Sequence, residues 1–187
     1  MPIESRDRLP GRDADVSIGR AFVNEARHTL ADSMKKVEHC LDQLRDEDLW
    51  WRQHESQNSI QNILLHLCGN VRQWIIHGVG GAPDVRDRAQ EFSDRRPLTK
   101  AELLSRLRQT LTEAHCALAE LPPDRLLEPR RIQGFDATAL AAIFETVSHF
   151  VGHTHQIVYI ARLRLGDAYR FQWQPANEEE GNNRVNQ

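Results

Sequence analysis

Along most of the chain, apolar residues recur at steps of three and four, the period of amphipathic helices rather than strands. From Val16 a stripe runs through Val23, Ala26, Leu30, Met34, Val37, Leu41 and Leu44, predicting one long helix over residues 16–45. Ile60, Leu64, Leu67, Val71, Trp74 and Ile75 predict a second helix over 58–78. Asn58-Ser59-Ile60-Gln61 supplies its start, an N-cap residue with Gln three places on, and Gly78, Gly80 and Gly81 close it. The third, over 99–121, carries Leu104, Leu107, Leu111, Ala114, Leu118 and Leu121. A Thr99/Glu102 capping box and a Leu98–Leu103 staple open it, and Pro122 and Pro123 end it. The fourth, over 137–165, is capped by Asp136 or Thr138 and stopped by Gly166, with an apolar stripe at Ile143, Val147, Val151, Val158 and Leu165. No run alternates like a strand between hairpin turns, and no internal repeat is visible. The pattern predicts an all-α protein, a four-helix bundle with long connections.

Two connections stand out. Asp46 to Gln57, with Trp50 and Trp51 among charges, reads as an irregular lid. Ala82 to Pro97, rich in Asp and Arg, is long for a compact domain, and such loops are functional or mobile. Residues 1–15, with Pro2, Pro10 and Gly11, read as a flexible arm, 16–173 as the bundle domain, and 174–187, with Glu178, Glu179 and Glu180, as a disordered tail.

Composition narrows the partners. With 187 residues, 40% of them hydrophobic, the chain suits one domain with a sizeable core. A formal charge of -3 provides no basic field for phosphates, so nucleic acid is not an expected partner. The longest apolar run, Ala139 to Phe144, is too short for a bilayer, and the first residues lack the basic-then-apolar plan of a secretory signal. The expectation is a soluble, cytoplasmic protein with no membrane partner. Cys40, Cys68 and Cys116 form no CxxC and read as reduced packing residues.

The chemistry lies in the histidines, of which there are nine. His149 and His153 stand one turn apart on one face of the fourth helix, so both imidazoles can reach one ion. Chance alone gives roughly 0.4 such HxxxH pairs in a chain of this composition, so a buried, hydrogen-bonded pair is the competing reading. His66 lies mid-way along the second helix on a polar strip with Asn62, Asn70, Gln73 and His77. That strip is either solvent-facing or the source of a third ligand. Three histidines with positions left for water suit Zn²⁺, Ni²⁺ or another borderline divalent ion. Glu145, one turn before His149, is either a support for an imidazole or a solvated helix residue. Gln156 either lines the site or is structural, and His28, His39, His54, His77 and His115 have no partner at ligand spacing. GxSxG, P-loop, GxGxxG and HExxH are absent, which removes the hydrolase, NTPase and nicotinamide readings those motifs carry.

Asn58-Ser-Ile-Gln-Asn-Ile-Leu-Leu-His66-Leu-Cys-Gly-Asn70, followed by His149-Phe-Val-Gly-His153-Thr-His155-Gln156-Ile157, resembles the DinB-like (YfiT-like) superfamily. The likeness spans about residues 16–170 and is closest to a branch with Asn-Ser-rich starts to helix two. It implies a four-helix bundle, often a homodimer, binding a divalent metal through His66, His149 and His153. It further implies a metal-dependent enzyme using a low-molecular-weight thiol such as bacillithiol or mycothiol, as an S-transferase or isomerase. His155 departs from the branch, which carries a small residue there, and lies off the His149–His153 stripe. Two functions follow from this as expectations: a metal-dependent thiol S-transferase, or a non-enzymatic dimeric bundle with a structural or vestigial metal site. Neither assigns a catalytic side chain.

Overall fold

A computed structural model describes residues 11–93 and 96–173. The chain is mostly helical with one small sheet. Helix α1 spans Gly11–Gln43, α2 is a short turn at Asp46–Leu49, and α3 spans Ile60–Val71, prolonged by a π-helical stretch at Arg72–His77. Then come α4 (Arg88–Ser93), α5 (Lys100–Glu120), strands β1 (Pro129–Ile132) and β2 (Phe135–Thr138), and α6 (Ala139–Leu165). Helix α1 packs chiefly on α6 and also on α5, while α3 packs on α5 and α6.

Apart from Val16, which is exposed, and Trp74, which is half-buried, the stripes predicted for the first three helices form the core. Val23, Ala26, Leu30, Met34, Val37, Leu41 and Leu44 of α1 and its C-terminal flank are buried, against Leu64, Leu67 and Val71 of α3 and Leu107, Ala114 and Leu118 of α5. Thr99 caps α5 through Glu102 as predicted, and Leu98 and Leu103 are both buried. For α3 the box is shifted by one residue: Ser59 is the cap and Asn62 its partner. Asn can play the part predicted for Gln61 because its carbonyl also reaches back to the cap backbone.

Four expectations are corrected. Helix α1 begins at Gly11, inside the stretch read as a flexible arm, whose first ten residues lie outside the described residues, as does the tail from 174. Asp46–Leu49 is helical, and Asp48 is buried beneath Arg164, whose guanidinium also lies 4.8 Å from the Trp51 ring centroid, so this segment braces the end of α6 rather than covering a site. The stripe proposed for α6 is rotated. Its buried face is Ala139, Ala142, Ile143, Thr146, Phe150, Thr154, Ile157 and Ala161, whereas Val147, Val151, Val158 and Leu165 are only half-buried. Helix α6 is apolar on several faces, and its buried face includes polar Thr146 and Thr154, which fit because each hydroxyl donates to the carbonyl four residues back.

The fourth correction is the antiparallel hairpin β1–β2, where no strand was predicted. Its loop is Gln133-Gly134, with φ of 54° and 83°, the left-handed pair that a type I′ turn requires. Gln-Gly is a faint version of the Asn-Gly signal, and strands this short and charged have little alternation to read. Thr138 ends β2 and caps α6 by accepting from the Ala141 N–H, so hairpin and helix are joined without slack. Among the described residues, no helix is long and apolar enough to cross a membrane.

Candidate metal centre

Helical periodicity places His149 and His153 one turn apart on α6, and the α3–α6 packing brings His66 to face them. The three rings stand edge to edge, with centroids 4.4–5.1 Å apart. Their Nε2 atoms converge, His149 Nε2 lying 3.1 Å from that of His66 and 3.1 Å from that of His153. One ligand atom from each residue lies within 4.8 Å of the other two. His66 is buried and the other two are half-buried.

The far side of each ring decides what Nε2 can do. His66 Nδ1 is 2.9 Å from Glu91 Oε2, and His153 Nδ1 is 2.8 Å from Gln156 Oε1. Both partners accept, so both rings carry their proton on Nδ1 and present an Nε2 lone pair to the common point. Arg86 Nη2 also lies 3.2 Å from His66 Nδ1 and could donate there, but an ionised carboxylate is the stronger partner for the ring. His149 Nδ1 is buried with no hydrogen-bond partner among the described residues. Without a cation, the His149 Nε2–H can be shared with its two neighbours.

Glu91 is the feature that sequence reasoning missed. It lies in α4, inside the long 82–97 connection, and its carboxylate is buried and ion-paired with buried Arg86, with Nε–Oε1 at 2.6 Å and Nη2–Oε2 at 2.9 Å. Burial pushes Glu91 up, but hydrogen bonds from Arg86 and His66 outweigh it and hold the carboxyl below its usual value. A Cβ on Gly69 would collide with Glu91 Oε1, so glycine in α3 makes room for the carboxylate. The Asn62 amide donates to the Glu91 carbonyl at 3.1 Å. The polar strip on α3 is therefore buried: Asn62 and His66 meet this connection, and Gln73 accepts from Arg86 while donating to Asp84. The only advance signal was the length of the connection.

The remaining candidates separate cleanly. Gln156 holds His153, Glu145 lines a neighbouring cavity without a hydrogen bond to an imidazole, and His155 is exposed and outside the cluster. Trp50 and Trp51 do not line that cavity. It measures about 620 Å³ and opens beside His66 and His149, with Asn70, Trp74, Phe135 and Glu145 among its walls.

Electrostatics suit a cation. Burial, followed by the neighbouring His153, His66 and Arg86, pushes His149 down to about 4, and burial also lowers His153. Both rings are thus neutral at pH 7, as ligation requires. Three neutral, converging imidazoles, two with their lone pairs fixed by the far-side partner, fit a borderline divalent ion.

Fold and site together define a helical protein with a partly buried three-histidine cluster that could hold a metal ion. The chain belongs to the family described as Protein of unknown function (DUF1572), which it matches over residues 17–177. No curated protein matches it.

Proposed function

We propose that this protein is a divalent-metal-dependent enzyme of the DinB-like type, its four long helices forming that bundle, and that it conjugates a low-molecular-weight thiol to an electrophile. The observation that carries the proposal is the convergence of three imidazole Nε2 atoms beside a cavity of about 620 Å³. His66, His149 and His153 would hold the ion, Zn²⁺ or Ni²⁺ by the chemistry of the donors. When bound, the ion contributes its full charge, which favours a thiolate over a thiol.

The chain's own residues do the rest. Glu91 and Gln156 keep two imidazoles in the ligating tautomer. The cavity walls hold the electrophile near the imidazole face and shield it from water. The thiol comes from outside, because none of Cys40, Cys68 and Cys116 lines the cavity beside the histidines. Phe144, Tyr159 and Leu163 are 59%, 64% and 53% exposed on α6, and we include in the proposal a homodimer formed through that outer face, to be checked by sedimentation.

The test uses zinc- or nickel-loaded protein with bacillithiol, mycothiol, glutathione or cysteine and a chromogenic electrophile. We expect conjugation above the metal-free background with at least one thiol, abolished in His149→Ala while the helical circular dichroism is kept. No rate with any thiol favours the non-enzymatic reading.

A further inference from the structure

Two large aromatic side chains reach the cavity beside the histidines from separate elements, and neither placement is accidental. Trp74 belongs to the π-helical stretch Arg72–His77. A π-helical stretch turns side chains away from where an α-helix would aim them, and such stretches gather at functional sites. Trp74 is half-buried and lines the cavity, while Gln73 and Ile75 on either side are buried.

Phe135 is the first residue of β2, directly after the Gln133-Gly134 turn, and it is 62% exposed. The hairpin that carries it is fixed at both ends. Its β2 end runs into the Thr138 cap of α6. On the β1 side, buried Ile132 packs so closely on Gly78 that a Cβ there would collide with Ile132 Cδ1. Gln133 also accepts a positive φ that side chains other than glycine rarely adopt, to make this turn. A phenylalanine held largely open to water on so rigid a support has a large apolar surface left to bury. Ala137 and Ala141 complete this wall with side chains small enough to leave room.

We propose that the cavity binds a small molecule through an aromatic ring packed against Trp74 and Phe135, with its polar end toward His66 and His149. Its volume is that of a site for a small organic ligand, and flat rings complement two aromatic walls better than flexible chains do, because they lose less freedom on binding. The inference rests on the function proposed above only in naming this ligand the electrophile; the binding itself needs neither thiol nor metal.

The test is calorimetric titration of the metal-free full chain with 4-nitrobenzyl alcohol, an unreactive aromatic, against hexan-1-ol as a flexible apolar control. We expect saturable aromatic binding, at least about fivefold tighter than hexan-1-ol. Phe135→Ala and Trp74→Ala should each weaken it by about fivefold or more, and Phe135→Trp should keep it. Thermal unfolding of each variant checks folding, and Phe135→Leu separates loss of the ring from loss of volume. Absence of saturable binding, equal affinity for hexan-1-ol, or a folded Phe135→Ala with unchanged affinity overturns the inference. Aromatic binding without conjugation by any loaded form would leave it standing and remove the thiol reading alone.

Discussion

Helix α6 and the connection from Ala82 to Pro97 contribute to the same cluster in opposite ways. Helix α6 supplies two of the three clustered imidazoles, whose spacing follows from helical geometry, on a support packed along α1. The connection supplies no ring. It supplies Glu91 and Arg86, which are more than thirty residues from any strong periodic signal of the fourth helix and reach His66 only through tertiary folding. What anchors it is polar: Gln61 donates to Arg96 O at 2.9 Å and accepts from Leu98 N at 2.8 Å, next to the Asn62 bond to Glu91. The contrast separates two tasks. A helix sets the distance between His149 and His153; the irregular segment sets which nitrogen of His66 faces the common point.

The sharpest way to break this comparison is to remove the carboxylate and keep the rings. Glu91→Ala should weaken zinc affinity about 10- to 100-fold, read by competition with a chromogenic chelator, because His66 loses the acceptor that fixes its tautomer. Glu91→Gln should fall between, since an amide oxygen still accepts from Nδ1 but without charge. Nitrogen-15 chemical shifts of His66 report the tautomer directly. An Ala variant that is folded and binds zinc within twofold of the native protein would show that the connection only covers the site.

A second effect belongs to the metal-free fold. His149 titrates at about 4 in the folded chain against an ordinary 6.5, so between those values the unfolded chain takes a proton that the folded one refuses. Stability is therefore complete above about pH 6.5 and falls as pH drops through 4, with His153 acting in the same direction. Allowing for solvent around half-buried rings, the loss should be roughly 1–2 kcal/mol, measured by urea unfolding at pH 7 and pH 4.5. His149→Gln should flatten that slope; an unchanged slope would place the acid sensitivity elsewhere, and Glu91 is the next group to examine.

How far the sequence reveals all this depends on which residues have a local reason for their place. The stripes of α1, α3 and α5 and the Thr99/Glu102 box are local, and they read correctly except at exposed Val16 and half-buried Trp74. The α6 stripe misleads because valines and isoleucines on several faces compete, while the buried face mixes Ile143, Phe150 and Ile157 with Ala and Thr residues whose hydropathy says little. His149 and His153 are legible as a pair, but their meeting with His66 rests on which helices become neighbours, and it came from resemblance. Glu91 and Phe135 had no local signal: one sits in a connection without period, the other behind a Gln-Gly turn.

The smallest expected effect sharpens the comparison from the α6 side. Gln156 accepts from His153 Nδ1 at 2.8 Å, the same kind of bond that Glu91 makes with His66, but the amide is neutral and Gln156 is exposed. When Gln156 is truncated, water can accept the Nδ1 proton in its place, and the tautomer survives because the helix still holds the ring. Glu91 is buried, so nothing replaces it. Gln156→Ala should therefore weaken zinc affinity by less than about threefold, in the chelator competition used for Glu91→Ala. Gln156→Glu should strengthen it slightly by adding charge to the acceptor. If Gln156→Ala costs as much as Glu91→Ala, burial is not what distinguishes the two supports, and the division of labour between helix and connection fails.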